Sequence, residues 1–340
     1  MLPTQHRRVV LARRPAGEPA ETDFRLEEVA TPAPGPGQVL VRVLYLSLDP
    51  YMRGRMRDAA SYAPPVALGA VMTGGTVGEV VASEAPELAV GDIVEGRLGW
   101  QEYGVAAAAT LRRIDPGLAP VSTANGILGM PGMTAYCGLF EIGQPKVGET
   151  VVVSAASGAV GQVVGQLAKR AGCRVVGIAG GPQKCAFVRD ELGFDACVDY
   201  KAGGALGAAL AAACPDGIDV YFDNVGGAVS DAVMLQLNIW ARIVLCGAIS
   251  QYNVDEPEMA PRLPAFFVGQ RVTMRGFIVS DFAAKFDHVA KIMAALVRDG
   301  QLKYREDIVD GLENAPRAFI GLLRGENFGK LQVRVGREAG

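Results

Sequence analysis

The sequence predicts an α/β protein: a doubly wound, six-stranded parallel sheet joined to a second, mainly β unit. Three observations carry this. From residue 7 to about 124 the chain runs as short β-prone segments cut by glycine and proline. From about 125 apolar runs alternate with helical patterns, the rhythm of parallel βαβ units. At 151–172 a buried strand, a glycine-rich turn and an amphipathic helix follow one another.

The first region reads as RRVVLARR, FRLEEV, QVLVRVLYLSL, GGTVGEVVAS, GDIVEGR and QEYGVA, with a turn cluster, APGPG, at 33–37. Strands at that spacing suggest a small β unit. In the second region strands are expected at 151–154, 174–178, 196–199, 220–223, 243–246 and 272–278, a complete dinucleotide sheet. After Asp281 comes an amphipathic helix with Phe282, Phe286, Val289, Ile292, Met293 and Leu296 at helical spacing, a stripe suited to core packing. The tail ends in a strand-like KLQVRV, expected to return to the first unit and make it discontinuous in sequence.

With 340 residues, half of them hydrophobic and a fifth charged, there is enough chain for two cores. The net charge of -3 leaves no cation excess for nucleic acid or an acidic membrane, so a small-molecule substrate is the expected partner. Neither a signal peptide nor a membrane span can be read from the text, which points to the cytoplasm. The cysteines at 137, 173, 185, 197, 214 and 246 stand singly and read as reduced core thiols. With only His6 and His288 for company, they supply no clustered metal ligands, so no metal is expected.

The chemistry begins at the glycine-rich turn, where Gly158 and Gly161 fall in the pattern AxGxxG. Gly158 lets the backbone approach a pyrophosphate, Gly161 lets the helix sit close on the strand, and the helix N-terminus offers N–H groups and a positive dipole. Ala156 replaces the first glycine, so the pattern depends on its strand–turn–helix context. At the end of the second strand the text is GIAGGPQK. An NAD enzyme would place a carboxylate there to hold the ribose hydroxyls; this chain has Gly180 and Gly181, followed by Lys184. That field favours an added 2′-phosphate and hence NADPH, although a lone lysine can also be a merely solvated one. FDNVGG at 222–227, with Gly226 and Gly227, and CGAISQY at 246–252 fall at carboxyl ends of strands, where open α/β sheets bind ligands.

The segments AASGAVG, VYFDNVGG, CGAISQYN and SLDPYMRGRM together closely resemble the zinc-independent medium-chain dehydrogenases/reductases typified by prostaglandin, alkenal double-bond and curcumin reductases. The resemblance spans nearly the whole chain. It implies a GroES-like domain over 1–124 that resumes over 303–340, a Rossmann domain over 125–302, and a homodimer. By position it implies that Gly158, Ala159, Val160 and Gly161 hold the pyrophosphate, and that Lys184 and Tyr200 contact the 2′-phosphate. It further implies that Asn224, Cys246, Gly247, Ala248, Ile249, Ser250, Tyr252, Phe277, Ile278, Val279 and Asn327 line the rest of the coenzyme, with Tyr51 and Tyr252 near the substrate. Ser157 is the one departure in the fingerprint, where some relatives carry Ala.

Zinc-dependent relatives carry a Cys after the early strand and a GHE motif some twenty residues on. Ser47, Leu48, Asp49 and Pro50 occupy the first place and GAVMTGG, residues 69–75, the second. Without that Lewis acid the expected reaction is conjugate reduction: hydride to the β-carbon of an enone, with charge developing on the carbonyl oxygen. Tyr252, or a ribose hydroxyl it orients, is the expected donor to that oxygen, and Tyr51 a pocket wall. A quinone oxidoreductase of the same fold and a non-enzymatic NADPH-binding protein are the competing readings.

Overall fold

In the computed structural model, which describes residues 2–256 and 258–338, the chain divides into two units: Met1–Gly126 with Glu306–Gly340, and Ile127–Arg305. In the first unit Gln5–Leu11 (β1) and Phe24–Ala30 (β2) pair antiparallel. Gln38–Ser47 (β3), Thr76–Ser83 (β4), Ile93–Gly96 (β5), Tyr103–Ala107 (β6) and Arg112–Ile114 (β7) build a larger sheet. β7 is absent from the sequence expectation, because three residues carrying two arginines show no apolar alternation.

β3 is apolar over most of its length because it is covered on both faces. Val39, Val41 and Val43 pack with Val80 and Val94, while Leu44 and Tyr45 pack with Val77, Val121 and Ala124. Two register shifts in its pairing with β4, at Leu40/Val41 and Val43/Tyr45, let it bend and serve three neighbours. Its far end, Leu46 and Leu48, joins a cluster around Trp100, whose ring stacks on Phe24 at 5.4 Å and meets Phe319 edge-on at 5.7 Å.

The second unit contains Thr150–Ser154 (β8), Arg174–Ala179 (β9), Ala196–Asp199 (β10), Ile218–Asp223 (β11), Leu237–Leu245 (β12) and Thr273–Gly276 (β13). Their order is β10-β9-β8-β11-β12-β13, all neighbours parallel. This is the doubly wound sheet that the sequence predicts, with its switch point between β8 and β11. β8, TVVVS, is buried throughout, as a central strand must be.

Boundaries differ where the apolar signal fades. β12 starts at Leu237 and ends at Leu245, leaving Cys246 beyond it; β13 ends at Gly276, leaving Phe277 and Ile278 beyond it. The early half of β12 was hidden because Ile239 and Trp240 are exposed and Trp240 sits at φ 68. The amphipathic helix spans Phe286–Arg298, with Val289 and Met293 fully buried. Phe282 lies before it in a 3₁₀ segment, Val279–Lys285, and its ring meets Phe277 at 6.0 Å instead of extending the helical stripe.

The chain then re-enters the first unit. Glu306–Asp310 (β14) and Lys330–Arg334 (β15) pair in parallel, and β15 lies antiparallel to β3 with Gln332 opposite Ser47. Among the described residues no helix is long and apolar enough to cross a membrane.

Candidate coenzyme and substrate site

The glycine-rich turn leaves β8 through Ala155, whose φ of 49 makes the reversal. Ala156 needs no such freedom. Its amide donates to Ile178 O at 3.0 Å, and its methyl group lies where β9 has Gly177, so the missing first glycine is matched by one on the next strand. Gly161, first residue of the helix Gly161–Arg170, is obligatory: a Cβ there would stand 2.3 Å from Ala155 O. Gly158 differs, since a Cβ there would meet only Ala155, and it is partly exposed along with Ala159 and Val160. The three form an open turn directly before a helix N-terminus.

At the end of β9, Gly180 is pressed by the residues that follow β10: a Cβ there would stand 2.9 Å from Tyr200 and 3.0 Å from Lys201. The nearby carboxylate, Asp199, uses Oδ1 to accept the amides of Gly181 at 2.8 Å and Lys201 at 2.9 Å. It therefore braces the loop. Lys184, in the short helix Pro182–Ala186, is partly buried, and Tyr200 is exposed with Lys201 at 5.8 Å from its ring centroid. Lys201 is a second cation at this strand end that the sequence reading passed over.

The end of β11 is organised by Asp223, buried to 1%. Its Oδ1 accepts from Ser154 Oγ at 3.1 Å, Tyr221 OH at 2.9 Å and the amides of Val225 and Gly226 at 2.9 and 3.0 Å, while Oδ2 accepts from Ser230. Asn224 completes the tie to β8, donating its amide to Ser154 Oγ and its Nδ2 to Ser154 O, each at 2.8 Å. Beyond β12 the chain is sewn to this turn: Cys246 and Gly247 donate to Asp223 O, Ile249 to Asn224 O and Ser250 to Val225 O. The sequence reading gives neither Ser154 nor Asp223 a role, although Asp223 lies within FDNVGG. The signal was a polar residue directly after a buried apolar run, twice.

Beyond the ends of β11, β12 and β13 lies a cavity of about 780 Å³, lined in part by Asp223, Gly226, Cys246, Gly247, Tyr252, Phe277 and Ile278. Ala248 lines it too, whereas Asn224, Ile249, Ser250 and Val279 lie beside it in the chain. Tyr252 folds back over the glycine: its hydroxyl oxygen accepts from Ala248 N at 3.3 Å, and a Cβ on Gly247 would come within 3.2 Å of it. Burial, with the Asp223 charge close by, pushes the Cys246 thiol up to about 12. It is a neutral thiol in the cavity wall.

Two predicted residues belong to the first unit. Tyr51 opens the short helix Met52–Arg55 and packs against the Trp100 cluster, and burial followed by the Asp49 charge raises its hydroxyl pKa, so it stays protonated. The Asn327 side chain donates to Gly329 O at 2.8 Å, fixing the turn before β15. Where zinc-dependent relatives carry their cysteine, Ser47 donates to the Asp49 carboxylate and Lys330 Nζ donates to it at 2.7 Å.

Two family models match, one described as the N-terminal domain of oxidoreductase over residues 7–114 and one as zinc-binding dehydrogenase over 159–295. The NADPH-dependent curcumin reductase of Escherichia coli is 51% identical, covering 97% of each chain. The NADP(+)-dependent 2-alkenal reductase of Nicotiana tabacum is 44% identical over 98% of each. The crystal structure of CurA in complex with NADPH from Vibrio vulnificus superimposes with a TM-score of 0.93 at 48% identity, over 98% of this chain and 100% of that one. The chain belongs to the medium-chain dehydrogenase/reductase family. Within that family it stands in the zinc-independent group of curcumin, alkenal and prostaglandin reductases. Although one matching model is described by zinc, this medium-chain reductase brings no three His, Cys, Asp or Glu side chains together as a metal site among the described residues.

Proposed function

We propose that this medium-chain reductase uses NADPH to reduce the carbon–carbon double bond of α,β-unsaturated ketones and aldehydes. The observation that carries the reading is the cavity at the strand ends, with Tyr252 folded over Gly247 in its wall. Glycines stand where bulk would obstruct: Gly226 has φ 72, and a Cβ on Gly247 would crowd the Tyr252 hydroxyl. The open turn at 158–160 and the bare end of β9 extend the same set of strand ends, so the residues present suit a dinucleotide.

NADPH, when bound, supplies a hydride to the β-carbon of the enone, and a proton delivered to the α-carbon completes the saturated product. The turn Gly158–Gly161 would hold its pyrophosphate, Lys184 and Tyr200 its 2′-phosphate, and Asn224, residues 246–252, residues 277–279 and Asn327 the remainder. Tyr252 is the donor to the developing enolate oxygen, because a hydroxyl that accepts from a backbone amide is polarised toward donating its own proton. Tyr51, neutral and packed on the core, serves as a wall of the substrate pocket rather than a proton source. We also propose a homodimer, supported by the exposed edge strand β13 and by Trp240 and Val268, exposed by 65% and 76%.

The deciding assay follows NADPH consumption against short alkenals, cyclic enones, keto-prostaglandin-like enones, curcumin and quinones, with product analysis. Saturated ketones or aldehydes are expected from enones. Turnover of quinones alone, or no turnover at all, overturns the proposal.

A further inference from the structure

We infer that Lys330 and Asp49 form a positioning pair within the first unit, fixing the segment that carries Tyr51. The β3–β15 ladder ends at Ser47 opposite Gln332, and Leu48 N still donates to Leu331 O at 3.2 Å. Beyond that point no backbone pairing to β15 guides the chain into the turn at Tyr51. The Lys330 side chain takes over: Nζ donates to Leu48 O at 3.0 Å and to Asp49 Oδ1 at 2.7 Å. Ser47 Oγ donates to the other carboxylate oxygen, and Asp49 O receives Met52 N at 3.1 Å, which starts the turn.

The pair is buried on both sides, with side-chain exposures of 3% for Lys330 and 7% for Asp49. Charges so placed are costly to desolvate, and apolar residues of similar size would stabilise a fold at least as well. What the pair adds is direction. A charged group with two fixed acceptors has one geometry, and the carboxylate it holds, that of Asp49, sits two residues before Tyr51. Lys330 also follows Asn327 by three residues, so one turn, closed by Asn327 Nδ2 to Gly329 O, sets both side chains.

This inference rests on reading Tyr51 as a wall of the enone pocket, and the experiment separates the two. Lys330→Met with Asp49→Asn removes both charges of the pair, and Glu306, which the Lys330 charge also faces, keeps its hydrogen bonds from Ser122 and Gln332. NADPH affinity, read by coenzyme fluorescence, is expected to stay within about twofold, whereas the Michaelis constant for an enone rises roughly tenfold or more with a smaller change in turnover. 3-Fluorotyrosine at position 51 gives a readout free of catalysis: its ¹⁹F resonance is expected to shift or broaden in the double variant. Ser47→Ala, which removes one bond to Asp49 and no charge, is expected to give the same changes in smaller measure, and it serves if the double variant fails to fold. A moved ¹⁹F line with unaltered enone kinetics would keep the positioning role and remove Tyr51 from the pocket. An unmoved line in the folded variants overturns the positioning role itself, whatever the enone assay of the wild type shows.

Discussion

The Ser154 hydroxyl lies 3.1 Å from the Asp223 carboxylate, so the ends of β8 and β11 share one buried charge. That relation ties the carboxyl ends of the two strands together at the switch point of the doubly wound sheet. Asp223 also holds the Val225 and Gly226 amides, and its own carbonyl receives Cys246 and Gly247.

Replacing Asp223 by Asn puts an amide donor where only donors now converge. A hydrogen bond to a charged group contributes about 1.5 to 3 kcal/mol, and a loss of that size is expected in denaturant unfolding, together with weaker NADPH binding. Unchanged stability and affinity would show that the carboxylate is dispensable to the turn.

The Cys246 thiol makes a pH-dependent prediction. Its pKa is raised to about 12 from an ordinary value of 9.0, first by burial and then by the Asp223 charge, so the folded state keeps the proton longer than the unfolded one. The stability this contributes is complete below pH 9 and lost as pH rises toward about 12. Native protein should resist iodoacetamide at Cys246 at neutral pH, as mass spectrometry of the peptide would show, because the thiolate is the reactive form. Rapid labelling at neutral pH contradicts this.

Much of this is legible in the sequence. The parallel sheet was readable because β8, β9 and β11 are apolar runs buried on both faces, and Gly161 announced the strand–turn–helix junction. Less was visible where structure rests on single polar contacts. Asp223 and Lys330 are buried charges that tie distant parts of the chain together, Asp223 reaching Ser154 69 positions away and Lys330 reaching Asp49 281 positions away. No periodicity reports such a pair. Trp240, at φ 68 and exposed, likewise broke the pattern of β12 and hid its first half.

The proposed dimer can be tested at that same surface. Trp240 stacks with Arg271 at 5.2 Å, and β13 offers only one of its edges to β12. Trp240→Lys with Val268→Lys is expected to move the protein from dimer toward monomer in sedimentation equilibrium. A monomeric wild type would remove the proposal.

In the proposed reading coenzyme choice turns on Lys184, with Gly180 and Gly181 in place of a carboxylate and Asp199 occupied by the loop amides. A charge-assisted contact to the 2′-phosphate contributes about 1.5 to 3 kcal/mol, roughly tenfold to a hundredfold in affinity. Lys184→Ala should raise the Michaelis constant for NADPH by about that factor, leave NADH nearly untouched and hardly change turnover. Lys201, beside Tyr200, is the natural source of any residual preference. Equal weakening of both coenzymes would show that Lys184 does not read the phosphate.

The last prediction concerns Tyr252, whose hydroxyl oxygen accepts from Ala248 N at 3.3 Å and stands over Gly247. Tyr252→Phe keeps the ring, and with it the wall of the cavity, and removes the hydroxyl, both as a donor and as the acceptor of the Ala248 amide. If the hydroxyl donates directly to the enolate oxygen, turnover should fall on the order of tenfold to a thousandfold, with NADPH affinity nearly unchanged, because the lost interaction strengthens only as charge develops. If it acts through a ribose hydroxyl that it orients, the fall should be smaller and coenzyme affinity should weaken with it. Single-turnover measurement of NADPH oxidation separates the chemical step from product release and so reads the effect where it arises. A variant that reduces enones as fast as the wild type in that measurement leaves Tyr252 as a packing residue, and the donor must then be sought elsewhere.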